Sequence, residues 1–99
     1  MKQIGTKRYW GVLVVEDVFV FTGKGCVVVG NTSAGQFVLG QKVEVRRNDQ
    51  EIATTVIDGL ETFNQTLTTA SKGQNIGMLL RDIKKGDIQV NDVVYGLIE

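Results

Sequence analysis

The shortness of the apolar runs constrains this chain more than any other feature. Val, Ile, Thr and Phe cluster in short segments that Gly, Asn, Asp and Ser separate, a pattern typical of strands joined by turns. No long segment has the spacing of an amphipathic helix. We therefore expect six strands, over residues 9–21, 26–29, 42–46, 52–62, 75–81 and 93–98.

The first two runs are separated by a short glycine-rich turn. Residues 9–21 are too many and too apolar for an exposed edge, so we expect a core strand or barrel stave. Gly23-Lys24-Gly25 supplies a turn before residues 26–29. The two runs are predicted to pair as a hairpin.

The next two runs differ in the regularity of their alternation. Val43 and Val45 share one face of the third strand and should point inward. In the fourth, Val56 and Ile57 are adjacent, which breaks the two-residue period. We expect a bulge or bend there, and Gly59 fits that position.

The last third of the chain combines polar connections with regular strands. A polar loop is expected over residues 64–73, with Leu67 as its anchor, and one helical turn over 83–88. Between them, Ile76, Met78 and Leu80 share one face of the fifth strand. In the final turn Asn91 stands before Asp92, and Asn tolerates the left-handed conformation.

These runs predict an all-β protein: a single six-stranded antiparallel β-barrel. Closure removes the unpaired edges that a flat sheet exposes, and a β-sandwich is the alternative. With 99 residues, 42% of them hydrophobic, one modest core is expected. We expect residues 1–99 to form one domain with a short tail over about 1–8.

The side chains that usually carry out catalysis are sparse. There is no histidine, and the one cysteine, Cys26, stands among valines like a buried structural thiol. Glu16 and Asp17 are adjacent, so on a strand they point to opposite faces. No Gly-Lys-Ser/Thr triplet follows the glycines. We expect no enzyme, no cofactor, no metal site and no GTP bound by this chain.

The charges give a second limit. Eleven basic and eleven acidic residues cancel, so any contact with nucleic acid should be local. The longest apolar stretch, residues 11–15, is far shorter than the ~20 residues of a membrane helix. The unpaired cysteine and the absence of a signal-like start favour a cytoplasmic protein without a membrane contact.

Several segments together resemble the second domain of elongation factor Tu and its relatives. The similarity runs in one order from about residue 12 to 96, nearly the whole chain. The segments are VEDVF (15–19), GKGCVVVG (23–30), AG (34–35), LGQKVEV (39–45), LETF (60–63), GQNIGMLLRDI (73–83) and DI (87–88). The resemblance implies a six-stranded barrel, which we expect here without the GTPase domain that accompanies it in elongation factor Tu.

The resemblance also implies a pocket for the terminal adenosine of aminoacyl-tRNA. The matching positions are Phe21, Gly23, Val27, Glu61 and Leu79, with main-chain contacts to the aminoacyl ester at positions matching Asn64 and Asn75. Val27 and Leu79 would hold the purine, and Glu61 would accept a hydrogen bond from a ribose hydroxyl. From composition alone, the two apolar side chains fit a barrel core equally well.

Two positive charges of the family are absent from this chain. Asn64 and Asn31 stand where the family usually has arginine. Two functions therefore stay open. The first is a binding module for the aminoacylated 3′ end of tRNA or another translation component. The second is a protein-interaction or scaffold barrel that has lost RNA binding and contacts a translation-factor or ribosomal protein, or another copy of itself.

Overall fold

The computed structural model describes residues 8–63, 65–84 and 86–98, and these form strands and turns without a helix. Every strand pairing is antiparallel. The strands are β1 (Arg8–Phe21), β2 (Gly25–Ala34), β3 (Gln36–Val38), β4 (Lys42–Arg47), β5 (Gln50–Thr62), β6 (Gln65–Leu67), β7 (Thr69–Ser71), β8 (Asn75–Arg81) and β9 (Val93–Ile98).

Six of these strands close into a barrel. Their order is β4-β9-β1-β2-β8-β5, and β5 pairs back with β4. The short β6 is added to β5, while β3 and β7 form a separate two-stranded sheet. The predicted six-stranded antiparallel barrel is therefore confirmed.

The barrel interior is filled by the alternate side chains that the sequence pattern selects. Val43 and Val45 are fully buried, as expected, and so are Met78 and Leu80. Phe37 of β3 also belongs to this core. Each large aliphatic side chain buried this way contributes about 1.5–3 kcal/mol.

The hairpin and the bulge are both as predicted. β1 and β2 pair from Phe21 opposite Gly25 along to Val12 opposite Ala34. The register between β5 and β8 shifts between Ile57 and Gly59, which makes the bulge that the sequence indicates.

The connection before β9 also matches one expectation. Asn91 has φ 80°, so it takes the left-handed conformation expected of it.

Three expectations about the connections are wrong. β2 continues to Ala34, beyond the predicted end of this strand at residue 29. The polar loop over 64–73 contains β6 and β7, because their edges find partners in β5 and β3. In place of a helical turn over 83–88, the described residues form a turn in which the Asp87 amide donates to the Lys84 carbonyl at 3.0 Å.

The prediction that the first run is no exposed edge is wrong for its second half. β1 pairs with β9 only from Arg8 to Val14. At Val15 the amide and carbonyl bond instead to Asp92 and Asn91 of the turn before β9, at 2.8 Å each. A bulge between Val15 and Asp17 follows, and the rest of the strand pairs on one side with β2.

Candidate functional site

A cleft of about 620 Å³ lies on the outer surface of the barrel. Its floor is formed by side chains that alternate with those of the core. Val27 pairs with Leu79, and Leu79 pairs with Gly59 across the bulge. The core residues Val28 and Met78 point the other way from the same two strands.

Glycines make the floor of the cleft low. At Gly77 an added Cβ would stand 3.4 Å from the Val27 side chain and 3.5 Å from that of Glu61. At Gly59 it would stand 3.3 Å from the Leu79 Cβ. A side chain at either position would therefore occupy the space that the cleft provides.

The walls come from several separate segments. Phe21 and Lys24, at the end of the β1–β2 hairpin, line one part of the cleft. Leu39, Thr66 and Leu67 also line it, the last two from the short strand β6. Phe21 is 52% exposed and Leu39 41% exposed, so these apolar side chains are available to a ligand.

The bulge adds an ion pair at the edge of the cleft. Asp58, the residue between the two paired positions, accepts from Arg81 Nε at 3.1 Å and 3.0 Å and from Nη2 at 2.7 Å. These bonds, and then the charge of Asp58, raise the pKa of Arg81. Asp58 and Arg81 neutralise each other. The other carboxylate that lines the cleft, Glu61, has no ion-pair partner among the described residues.

The structure brings four of the seven expected site residues together. Phe21, Val27, Glu61 and Leu79 all line the cleft. Gly23 lines a second cavity of about 450 Å³, which shares Phe21 and Lys24 with the cleft.

The remaining two expected residues are placed differently. The carboxamide oxygen of Asn75 accepts from the Asn31 side chain at 2.9 Å, and Asn75 does not line the cleft. Asn31 also donates to the Gly73 carbonyl at 3.1 Å, so this asparagine links β2 to the turn before β8. Asn64 lies outside the described residues.

Sequence reasoning missed the glycine floor and the wall that β6 provides. The two-residue alternation of β8 places Gly77 and Leu79 on the same face, and this pattern could have predicted the floor of the cleft. Gln65–Leu67 is too short and too polar for the sequence to predict a strand there. Its contribution to the cleft follows from tertiary pairing with Leu60, Glu61 and Thr62.

The lone cysteine belongs to the hydrophobic core of the barrel. Cys26 is fully buried, as expected, and burial together with the charge of Asp87 raises the pKa of its thiol. Among the residues that the structure covers, no three His, Cys, Asp or Glu side chains form a group that could hold a metal ion. No helix in the described part of the chain is long and apolar enough to cross a membrane.

A sequence model of the family described as elongation factor Tu domain 2 matches residues 25–95. The chain belongs to the elongation factor Tu domain 2 family. It is therefore a translation-factor β-barrel module. The matched residues include Val27, Glu61 and Leu79 of the cleft, whereas Phe21 and Gly23 precede them.

Proposed function

We propose that this elongation factor Tu domain 2 barrel binds the aminoacylated 3′-terminal adenosine of tRNA in the cleft. The observation that carries the proposal is the convergence of Phe21, Val27, Leu79 and Glu61 on one open cavity. Its volume of about 620 Å³ lies within the range of about 300–1,000 Å³ that is usual for ligand pockets.

The cleft offers the two kinds of contact that a nucleoside requires. The apolar side chains of Val27 and Leu79 present a surface against which a purine can pack, and Phe21 adds an exposed aromatic ring. The Glu61 carboxylate is exposed and can accept a hydrogen bond from a ribose hydroxyl. The glycine floor lets the base approach the sheet closely.

In this proposal the chain works as a binding module in the cytoplasm, with no catalytic step of its own. Because the cleft is open on one side, it covers one face of the ligand, and binding is weak unless a second surface completes it. A translation component that supplies that second surface is the partner that this geometry suits.

An NMR titration with aminoacyl-adenosine tests the proposal. The amides of Val27, Glu61 and Leu79 should shift together. In Glu61→Gln the affinity should fall about fivefold, because a neutral amide oxygen replaces the charged acceptor of that hydrogen bond. Glu16→Gln, which removes an exposed carboxylate outside the cleft lining, should bind as the unmodified protein does. Unchanged spectra across the titration would refute the proposal.

The second candidate is a protein-interaction barrel that uses the same face. Exposed apolar side chains favour it: Phe63 is 91% exposed, and Phe21 and Leu39 are also open. A translation-factor or ribosomal protein that shifts the amides of Leu39 and Phe63, and loses this effect in Leu39→Ser, would support this candidate. Shifts confined to the cleft, and caused by the nucleoside, would exclude it.

A further inference from the structure

The free edge of β1 beyond its bulge is an unexplained feature of the barrel. β2 covers one side of Asp17–Phe21. On the other side, β9 pairs only as far as Val14, and the turn before β9 reaches only Val15. The following residues thus form a sheet edge with no partner strand among the described residues.

This edge is apolar, which is unusual for an unprotected strand. Phe19 is 51% exposed and Val20 42% exposed, and Phe21 follows them. Natural edges are usually blunted by lysine, proline or a covering loop, because open main-chain groups invite another strand. No lysine or proline stands between Asp17 and Phe21, although a bulge precedes this segment and the Asp17 side chain accepts from the Val18 amide.

Two hydrogen bonds show which main-chain groups point outward. The Val18 amide donates to the side chain of Asp17 at 2.8 Å, so it faces away from β2. The Phe21 carbonyl accepts from the Lys24 amide at 3.0 Å inside the hairpin, so Phe21 faces inward. Because orientation alternates along an antiparallel ladder, Val20 also presents its N–H and C=O to the free side.

The charges along the edge favour one orientation of an added strand. Glu16 and Asp17 stand at its beginning, and Lys24 stands in the turn at its end. A second copy in antiparallel orientation brings the acidic end of each edge towards the basic turn of the other. A parallel copy would place acid beside acid. A two-fold arrangement is also the one that closes after two subunits.

We propose that this chain forms a dimer through antiparallel pairing of two β1 edges about Phe19. Val18 of each copy pairs with Val20 of the partner subunit through main-chain hydrogen bonds, and the Val18 amide exchanges its bond to the Asp17 side chain for one to the partner. The two Phe19 side chains meet across the two-fold axis on the outer face. This arrangement covers the exposed apolar residues of the edge, two of which, Val20 and Phe21, also line the cleft.

Sedimentation analysis of the full chain over about 1 µM to 1 mM, a span that includes weak interfaces, tests the dimer. The mass should rise from one subunit towards two with concentration. Val20→Pro should stay monomeric, because proline removes the outward N–H and is tolerated on edge strands. Phe19→Lys should also stay monomeric, since it places like charges opposite each other.

The control for the charge substitution is Ile52→Lys, at another exposed apolar position on β5, which should dimerise as the unmodified protein does. An NMR spectrum of each variant checks that the barrel is retained. A one-subunit mass of the unmodified protein at every concentration would overturn the proposal. A folded Phe19→Lys variant that still dimerised would also overturn it. So would a monomeric protein whose Val18 and Val20 amides shifted only when a strand-forming peptide was added, because the edge would then bind a peptide and not a second copy.

Discussion

At the scale of single residues, the most unexpected group is Glu44, whose side chain is fully buried. The alternation of β4 places Val43 and Val45 inward, so Glu44 points away from the core. It is covered there by Tyr9, whose hydroxyl donates to its carboxylate at 3.1 Å, and by Arg46, which forms an ion pair with it. The two-residue period predicts the face on which a side chain lies. Whether the side chain is buried on that face depends on residues distant in sequence.

We predict that Glu44→Gln destabilises the barrel by about 1–3 kcal/mol, because Arg46 and the Tyr9 hydroxyl lose their charged acceptor. Urea unfolding at neutral pH, followed by tryptophan fluorescence, measures the change. Glu16→Gln alters an exposed carboxylate and should leave the free energy of unfolding nearly unchanged. Equal stability of the two variants would mean that the Glu44 network contributes nothing net.

A second residue-scale prediction concerns acid stability. Burial acts to raise the pKa of Asp92, but hydrogen bonds from Arg47 and the Gln89 amide, with the charge of Arg47, outweigh it and lower the pKa. A lowered folded-state pKa means that the stability is complete above the unfolded value of about 3.9 and is lost as the pH falls through the folded value.

Urea unfolding at several pH values should therefore show a loss of stability below about pH 4 that is smaller in Asp92→Asn, since the variant has no carboxylate to titrate there. Asp82→Asn is the matched control, because Asp82 is an exposed carboxylate. If Asp92→Asn kept the full acid dependence of the unmodified protein, the Arg47 pair would not be its source.

At the scale of elements, the strands were predictable where two-residue alternation met a buried face, as in β4 and β8. The bulge at Gly59 was predictable because the alternation fails there. The sequence pattern could not predict which strand edges would find a partner. β6 and β7 exist because β5 and β3 lie beside them. No described strand pairs with the second side of Asp17–Phe21, because β9 ends its pairing at Val14.

The same limit applies to the candidate site. Val27 and Leu79 fit a core or a pocket equally well in the sequence, and only the register shows that they face outward together. Phe21 lines the same cleft as these two residues, from the end of the β1–β2 hairpin. The Asp58–Arg81 ion pair could not be predicted from the sequence, because it depends on the bulge that exposes the Asp58 side chain.

The hairpin that supports the cleft should depend on Gly25. Its φ is +130°, and a Cβ there would stand 2.1 Å from the Leu80 carbonyl oxygen. We expect Gly25→Ala to cost at least about 1–3 kcal/mol of stability and to shift the amides of Val27 and Leu79.

Gly86→Ala separates the contact from the backbone strain. Gly86 also has positive φ, at +89°, but an added Cβ meets nothing within 4 Å. The strain alone should cost about 1–2 kcal/mol, without shifts in the cleft. A thermal unfolding series that gave Gly25→Ala and Gly86→Ala the same midpoint would contradict the close approach of β2 to β8.

At the scale of the whole molecule, the charge balance limits how the barrel can hold a nucleic acid. The net charge is zero, and Lys24 is the cation that lines the cleft among the described residues. Affinity for RNA should then come from the base and ribose contacts more than from phosphates. Salt dependence is the property that distinguishes these sources, because each neutralised phosphate releases a counterion.

We predict a shallow salt dependence for a short RNA that ends in aminoacyl-adenosine. The logarithm of its affinity should fall with a slope of about −1 against the logarithm of salt concentration, as for one or two phosphates of a single strand. Fluorescence anisotropy at several salt concentrations measures this slope. The matched ligand carries the same aminoacyl ester at O3′ but lacks the 2′-hydroxyl. It should bind more weakly at every concentration but with the same slope, because it lacks the hydroxyl that Glu61 would accept from. A slope steeper than about −3 would show that phosphates dominate, which the balanced charges of this barrel do not support.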